Sequence, residues 1–250
     1  MILHETLPYD IQAGPPLPGV RPLAPADWLL VDEAYAGQMA ERRRLLAERR
    51  AAVLALAPEA MSAALELLDM ALASLPEGFT TTAQVITCPD GWSVSHDRSD
   101  PLGTLGQILQ EDFCLMQKRE DQHVLTGAVL CFPASWRLDE KFLHPLTAIH
   151  DPVDVYDARL ARRVQRLFDG VQAGRPLWRF NAFAYADPSL HQPRSIHDPR
   201  AEVDPDTAAF LRSERQCLLR LPDSNAVVFS IRTYMLRNPG LDRRADPVRT

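Results

Sequence analysis

The clearest pattern along the chain is a stripe of apolar residues that repeats with the period of an α-helix. Between residues 58 and 75 the stripe steps by four and three positions, through Met61, Leu65, Leu68, Leu72 and Leu75. That spacing places these side chains on one face of a helix. Pro58 suits the first helical turn, and Pro76 ends the pattern. We therefore predict a helix here that packs on a core.

Weaker helical patterns occur before and after this segment. The stretch 38–57 is rich in strong helix formers, and its charge run Glu41–Arg44 suggests a solvated face with ion pairs at helical spacing. The spacing of Leu109, Phe113 and Met116 predicts a short helix containing Glu111 and Asp112. A last helix is predicted from Leu160, Val164, Leu167 and Val171.

Strand patterns follow Gly78 and dominate the end of the chain. Two β-prone segments, 80–88 and 123–132, precede three later strand candidates at 176–185, 214–221 and 226–236. Residues 134–154 have no regular pattern. The turn-forming sequence Pro222-Asp-Ser-Asn225 predicts a hairpin loop between the last two strands. Because helices come first and strands last, the pattern favours an α+β fold over alternating βαβ units.

Proline content divides the chain. Residues 1–26 are rich in proline and are predicted to be extended, because proline restricts both itself and its predecessor. Residues 27–237 read as a single compact domain, and residues 238–250 as a polar tail.

Composition excludes several classes of protein. The 250 residues are 46% hydrophobic and 24% charged, which is too apolar for a disordered chain. The net charge of -6 argues against nucleic-acid binding, and no apolar run of ~18 residues predicts a membrane span. The start of the chain lacks a secretory pattern, and the four cysteines form no CxxC pair. We therefore expect reduced thiols and a cytoplasmic location.

The predicted hairpin has an electrostatic consequence. If its loop is symmetric about residues 222–225, Arg215 lies directly opposite Arg232, and like charges so placed are destabilising. An anion between them would relieve this, since arginine binds carboxylates bidentately. The anion is either a bound ligand or a carboxylate of the protein, such as Glu214 or Glu111, and the sequence leaves both open.

The common self-contained catalytic motifs are missing. The sequence has no HExxH, P-loop, GxGxxG or serine-hydrolase elbow, and its seven histidines have no zinc-like spacing. A single axial histidine to haem needs no spacing motif. His150 lies in a short apolar stretch that Pro152 interrupts, which leaves it either a haem ligand or a structural residue.

Several segments together resemble the haem-dependent oxidative N-demethylase family, in its haem-binding alpha subunit, long catalogued as a domain of unknown function. The resemblance covers residues 25–237 and depends on the order and spacing of residues 110–116, 131–136, 140–141, 149–153, 214–216, 220–222 and 229–234. It implies a PAS-like antiparallel sheet with an added helical N-terminal part that encloses haem b.

The resemblance also implies an activity. A small secondary amine, dimethylamine being the expected substrate, is oxidised by oxygen to formaldehyde and a primary amine. The resemblance further implies that electrons come from separate flavin and iron–sulfur reductase subunits. This chain has neither a flavin nor an iron–sulfur motif, so it would be the haem subunit only. No nucleic acid or membrane is expected as a partner.

Roles transfer residue by residue from the same resemblance. His150 is the expected axial ligand of the iron, and Arg215 and Arg232 are expected to bind the haem propionates. The expected catalytic residues, which orient the amine or an oxygen-derived ligand, are Glu214, Tyr234, Arg179 and Asn181. Glu111 and Asp112 either balance a protonated amine or form structural pairs. Ala182 replaces the tryptophan of the family's Arg-x-Asn-Trp segment, which predicts extra space beside the cofactor and questions the amine substrate.

Two other functions fit the same residues. A non-catalytic haem sensor or carrier would bind haem without turning over any amine, although the sequence has no output domain. A haem-free binding protein of the same fold would fill the cofactor site with side chains. Fold alone does not decide among them.

Overall fold

A computed structural model describes residues 1–11, 19–150, 158–198 and 200–238, except for the side chains of His150 and residues 158–161. The helices are α1 (Tyr35–Glu48), α2 (Arg50–Val53), α3 (Met61–Ala73), α4 (Pro101–Ile108), α5 (Leu138–Lys141), α6 (Leu146–His150) and α7 (Ala158–Gly170). The strands are β1 (Arg21–Pro22), β2 (Leu54–Leu56), β3 (Thr80–Thr81), β4 (Val85–Thr87), β5 (Ser93–Ser95), β6 (Asp112–Arg119), β7 (Gln122–Val129), β8 (Leu177–Tyr185), β9 (Phe210–Arg220) and β10 (Val227–Arg237).

A seven-stranded antiparallel sheet forms the centre of the molecule, in the order β1-β8-β9-β10-β6-β7-β2. A smaller sheet contains β3, β4 and β5. The mixture of helices with a large antiparallel sheet confirms the α+β prediction. The PAS-like classification stays a prediction, and it is supported by the strand order and by the helices inserted between β7 and β8.

The two faces of the large sheet carry separate cores. On what we call the back face, Phe113 and Leu115 of β6 pack in one apolar cluster with α1, α3 and α4. On the front face, Cys114 and Met116 of the same strand pack in a second cluster with α5, α6 and α7. Successive residues of a strand point to opposite faces, so one strand supplies both cores.

The predicted helix over Leu109, Phe113 and Met116 is wrong. The helix of this region is α4, which ends at Ile108, and β6 starts at Asp112. Because β6 is buried on both faces, its apolar residues form a continuous run, in which a four-three spacing arises without a helix. The region 134–154, without regular pattern in the sequence, holds the short helices α5 and α6.

The charge run on α1 is only partly a solvated face. Arg44 forms the expected surface ion pairs with Glu41 and Glu48. Arg42, by contrast, is fully buried, and its guanidinium binds Asp112 at 2.6 Å and the backbone oxygens of Gly106, Gln110 and Glu111. This part of the prediction is wrong, since the helix is close enough to the sheet for one arginine of the run to point inward.

Other sequence predictions agree with the structure. The helices over 58–75 and 160–171 correspond to α3 and α7, and the three late strands to β8, β9 and β10. The division of the chain at residues 26 and 237 stays a prediction, and residues 239–250 lie outside the described part.

The first residues of the chain are attached to β10. His4 donates its backbone N–H to the Met235 oxygen, and the Met235 N–H donates to Nδ1 of His4.

Two expectations from composition also concern the structure. All four cysteines are buried and free of disulfides. In the described ranges, no helix combines the length and the apolar character needed to cross a bilayer.

The close contact between α4 and the sheet yields a stability prediction. A Cβ on Gly106 would lie 2.7 Å from Cγ2 of Val129 and 3.0 Å from Cδ1 of Leu46. Gly106→Val is therefore expected to lower the free energy of unfolding by about 2 kcal/mol, as overpacked cores do. Urea denaturation measures the change. Gly170→Val, at a position with open space around it, is the matched control; equal midpoints for both variants would contradict the tight packing of α4.

Candidate functional site

The pairing of β9 with β10 agrees with the register derived from the sequence. Leu221 donates to Ala226 across the loop at 2.9 Å, and Arg215 lies opposite Arg232. The next strand pairs Asn181 with Glu214 and Arg179 with Gln216. Residues that oppose each other in an antiparallel pair share a face of the sheet. This register therefore decides which of the expected site residues lie together.

The expected site residues divide between the two faces. Arg179, Asn181 and Glu214 lie on the front face, and Arg215, Arg232 and Tyr234 lie on the back face. His150 is the last residue of α6, a helix that packs on the front face, but its side chain lies outside the described part. One pocket cannot be lined by both sets, because the sheet itself separates them.

Groups of the protein neutralise Arg232 on the back face. Its guanidinium donates to Glu111 Oε1 at 3.1 Å, Asp32 Oδ2 at 2.5 Å, Gln110 Oε1 at 2.7 Å and the Leu30 oxygen at 2.8 Å. The sequence left open whether a bound ligand or a carboxylate of the protein supplies the negative charge, and these contacts favour the protein. Two carboxylates contact Arg232, those of Asp32 and Glu111. Arg232 is buried, as are Glu111 and Gln110.

Arg215 finds its acceptors in the backbone. The guanidinium donates to the carbonyl oxygens of Asp27 and Trp28 and lies 5.5 Å from the ring centroid of Trp178. The two opposed arginines thus have different partners. Carboxylates bind Arg232, whereas backbone carbonyls and an aromatic ring contact Arg215. The propionate-binding role of Arg215 and Arg232 stays a prediction, with these contacts weighing against it.

Glu111 and Asp112 form structural pairs. Asp112 accepts from Arg42 at 2.6 Å and from the backbone N–H groups of Cys131 and Phe132 at 2.7 and 2.8 Å. Glu111 belongs to the Arg232 group, although its Oε2 has no hydrogen-bond partner within the described structure. Of the two roles considered for these residues, pairing is the one that the described contacts support.

Tyr234 belongs to an aromatic group on the back face that the sequence did not reveal. Tyr9 stacks on Phe180 with ring centroids 4.7 Å apart, lies edge-on to Tyr234 at 5.9 Å, and is 2.9 Å from the Ser213 hydroxyl. Burial raises the pKa of Tyr234 to about 12, so its phenol is protonated at neutral pH. Ala182 opposes Ser213 on this same face. Any space left by the missing tryptophan ring is therefore on the Tyr9 side of the sheet.

Glu214 is held firmly on the front face. Its Oε2 accepts from Asn181 Nδ2 and Gln216 Nε2, both at 3.1 Å, and its Oε1 lies 3.5 Å from a nitrogen of Arg212. The Asn181 side chain also accepts from the Glu214 backbone N–H at 3.1 Å, which fixes the amide orientation. Oε1 thus has only one long contact with a donor in the described structure, and it is the oxygen left for a ligand.

Arg179 differs from the other arginines of these strands. It is half-buried, and no described residue forms a hydrogen bond or ion pair with its guanidinium. Burial lowers its pKa, and the negative charge of Glu214 opposes that effect. A guanidinium remains charged at neutral pH even so. The front face therefore presents, beside a fixed carboxylate, a cation that no described residue pairs with.

Two other histidines, His123 and His144, are alternatives to His150 as a ligand of the iron. His123 is buried on β7, its Nδ1 is 2.9 Å from Gln165 Nε2, and its Nε2 has no partner among the described residues. Burial lowers the pKa of His123, which favours the neutral imidazole that binds metals. His144 is exposed, with Nδ1 3.0 Å from the Phe142 oxygen. The described residues contain no cluster of three His, Cys, Asp or Glu for a multi-ligand metal site.

Lys141 is a front-face residue whose environment the sequence did not reveal. Its Nζ donates to the Ile149 oxygen at 3.0 Å and lies 5.0 Å from the ring centroid of Trp136. Burial lowers the pKa of this amine. The bond fixes the backbone immediately before His150, so α5 helps to position the end of α6. In the sequence, Lys141 was marked only by its position in segment 140–141, one of the segments that carry the family resemblance.

These residues fit a haem group on the front face. The Arg179 guanidinium, which no described residue pairs with, suits a carboxylate of a ligand. A helix that ends in a histidine lies on the same face, and apolar side chains of α6 and α7 cover part of it. On the back face, by contrast, Arg215 and Arg232 already donate to backbone oxygens of the N-terminal part of the chain.

The back-face ion group yields a pH prediction. Burial opposes ionisation of Asp32, but His4 and Arg232 outweigh it and hold its pKa well below the usual range. A carboxyl with a depressed folded pKa stabilises the fold fully above its unfolded pKa of about 4, and this stabilisation is lost gradually as pH falls from that value through the lower folded pKa. Asp32→Asn is therefore expected to cost about 2–4 kcal/mol at pH 7, with the difference from wild type shrinking in acid.

Urea unfolding at pH 7 and at about pH 3.5 measures both values. The exposed Asp121→Asn is the control and should follow wild type at each pH. A pH-independent difference for Asp32→Asn would contradict the charge-based account.

One comparison with known proteins bears on the identity of the chain. A family model described as haem-dependent oxidative N-demethylase, alpha subunit-like, matches residues 19–245. The match includes both arginines of the back face and the Glu214 group of the front face, and it spans most of the 250 residues. The chain is therefore a member of the haem-dependent oxidative N-demethylase alpha-subunit-like family.

Proposed function

We propose that this chain binds haem b on the front face of its sheet and oxidatively N-demethylates a small secondary amine. Oxygen is the oxidant, and electrons come from separate flavin and iron–sulfur subunits. The observation that carries the proposal is the Glu214 group, a buried carboxylate with one oxygen available, beside the unpaired Arg179. The family supports an oxidoreductase and, by its alpha-subunit name, a partner subunit.

The haem-binding residues are assigned from position. His150 is the proposed axial ligand because it ends α6, which packs on the front face and is fixed by the Lys141 contact to Ile149. Bound haem would supply oxygen activation and electron transfer, which no side chain provides. A cytoplasmic location belongs to the same proposal.

Glu214 has the geometry of a proton acceptor for the amine. A secondary amine is protonated near neutral pH, and its oxidation requires the lone pair or an adjacent C–H bond. The ammonium N–H would donate to Oε1, the oxygen with the long Arg212 contact, and pass its proton there. Asn181 and Gln216 hold Oε2, so the carboxylate keeps its orientation during the transfer. The protonated phenol of Tyr234 lies on the other face, which weighs against its direct contact with the amine.

The first prediction of this function concerns haem. Protein purified aerobically after haem supplementation is expected to show a Soret band and stoichiometric haem by mass spectrometry. His150→Ala should abolish the imidazole-type spectrum, while the exposed His144→Ala should leave it unchanged. Absence of haem from wild type would refute the proposed function. An unchanged spectrum in His150→Ala would instead transfer the ligand role to His123, whose Nε2 has no described partner.

The second prediction concerns Glu214. Glu214→Gln keeps the shape of the side chain but removes the proton acceptor, so the rate of formaldehyde release should fall by about 10²–10⁴-fold, the usual contribution of a general base. Haem content should not change. Glu202→Gln, an exposed carboxylate outside the front-face group, is the control. Full activity in Glu214→Gln would remove this residue from the mechanism.

A further inference from the structure

We propose that Arg179 and Glu214 together bind a zwitterion, so that the substrate is an amine carrying its own carboxylate, such as a short N-methylated amino acid. This inference rests on the proposed function and specifies its substrate class. Arg179 would bind the carboxylate, and Glu214 the ammonium group. The two side chains touch substrate in this scheme and need no contact with each other.

The strand register places the two charges as diagonal neighbours. Arg179 opposes Gln216, and Glu214 opposes Asn181. The arginine and the carboxylate therefore lie on the same face, in residue pairs that are two positions apart along the strands. Such diagonal neighbours are separated by roughly 7–8 Å at the backbone, within reach of long side chains. Yet no Arg179–Glu214 ion pair forms within the described structure, although Arg212, two residues along β9, reaches Glu214 at 3.5 Å.

The unpaired guanidinium calls for an acceptor. A polar group removed from water without a partner costs free energy, and a charged group costs more. Arg42, Arg212 and Arg232 show how this chain satisfies its buried arginines: each donates to carboxylates or carbonyls. Arg179, half-buried, has none in the described part of the chain. A bidentate carboxylate is the ligand that best matches its planar fork.

The local charge distinguishes a zwitterion from a plain alkylamine. Arg179 and Arg212 bring two positive charges to the neighbourhood of Glu214, which brings one negative charge. A plain alkylammonium ion would add another positive charge to this group. A substrate with a carboxylate neutralises Arg179 while its ammonium group binds Glu214, so binding adds no net charge to the site. Electrostatic complementarity of this kind decides specificity among similar ligands.

A carboxylate on Arg179 has two possible sources, the substrate and a haem propionate. The experiment separates them, because a propionate contact would affect haem retention and a substrate contact would not. Haem-loaded full-length chain is titrated calorimetrically with N-methylglycine and with dimethylamine. Haem content is measured on the same samples. The variants are Arg179→Gln, Arg179→Lys, which restores the charge, and Arg44→Gln, a control at an exposed surface ion pair.

Wild type is expected to bind N-methylglycine at least about 10-fold more tightly than dimethylamine, as one charged hydrogen-bonded contact allows. Arg179→Gln should weaken N-methylglycine binding by about 10–100-fold and leave haem content unchanged, and Arg179→Lys should partly restore the binding. Dimethylamine binding should not weaken in Arg179→Gln, because a positive charge is removed from the neighbourhood of the alkylammonium ion. Loss of haem from Arg179→Gln would overturn the proposal in favour of a propionate contact. Equal affinities for both amines in wild type would also overturn it. A chain that binds haem and demethylates only dimethylamine would refute this inference while leaving the proposed function intact.

Discussion

The placement of Arg215 opposite Arg232 across the β9–β10 pair is the constraint on which much of this structure depends. Two positive charges next to each other in a buried sheet need compensation from elsewhere in the chain. Arg232 receives it from Asp32, Gln110 and Glu111, and Arg215 from carbonyls near residue 28. The segment before α1 is therefore bound to the back face by charge as well as by apolar packing, and the loop between α4 and β6 is held there too.

A further buried arginine, Arg42, connects the sheet to the helices. Arg42 of α1 binds Asp112 at the start of β6, and Asp112 also accepts from two backbone N–H groups just after β7. The pair joins α1 to two neighbouring strands of the sheet. Breaking a buried pair of this kind costs far more than forming it contributes, since one charge is left alone. Glu111 and Asp112 are thereby paired within the fold, whereas Glu214 Oε1 has one long contact with a donor in the described structure, which is why we propose Glu214 for the chemistry.

Side chains alternate between the two faces along β9, so three consecutive residues contribute to both faces of the sheet. Glu214 and Gln216 point to the front face and Arg215 to the back. A single strand thus anchors the N-terminal part of the chain on one side and presents an ordered carboxylate on the other. The front face, with α6 and α7 over its apolar portion, carries a carboxylate held by hydrogen bonds and a guanidinium that no described residue pairs with.

The sequence alone determined α3 and α7, the late strands, the hairpin register and the family, because each depends on local spacing or on the order of segments. The sequence also offered Arg179, Asn181, Glu214 and Tyr234 as candidate site residues. Only the tertiary structure decided which of them share a face, that Arg42 is buried, that β6 is a strand, and that Tyr9 stacks on Phe180. These depend on contacts between residues far apart in the chain, such as Asp32 with Arg232, which no local pattern encodes.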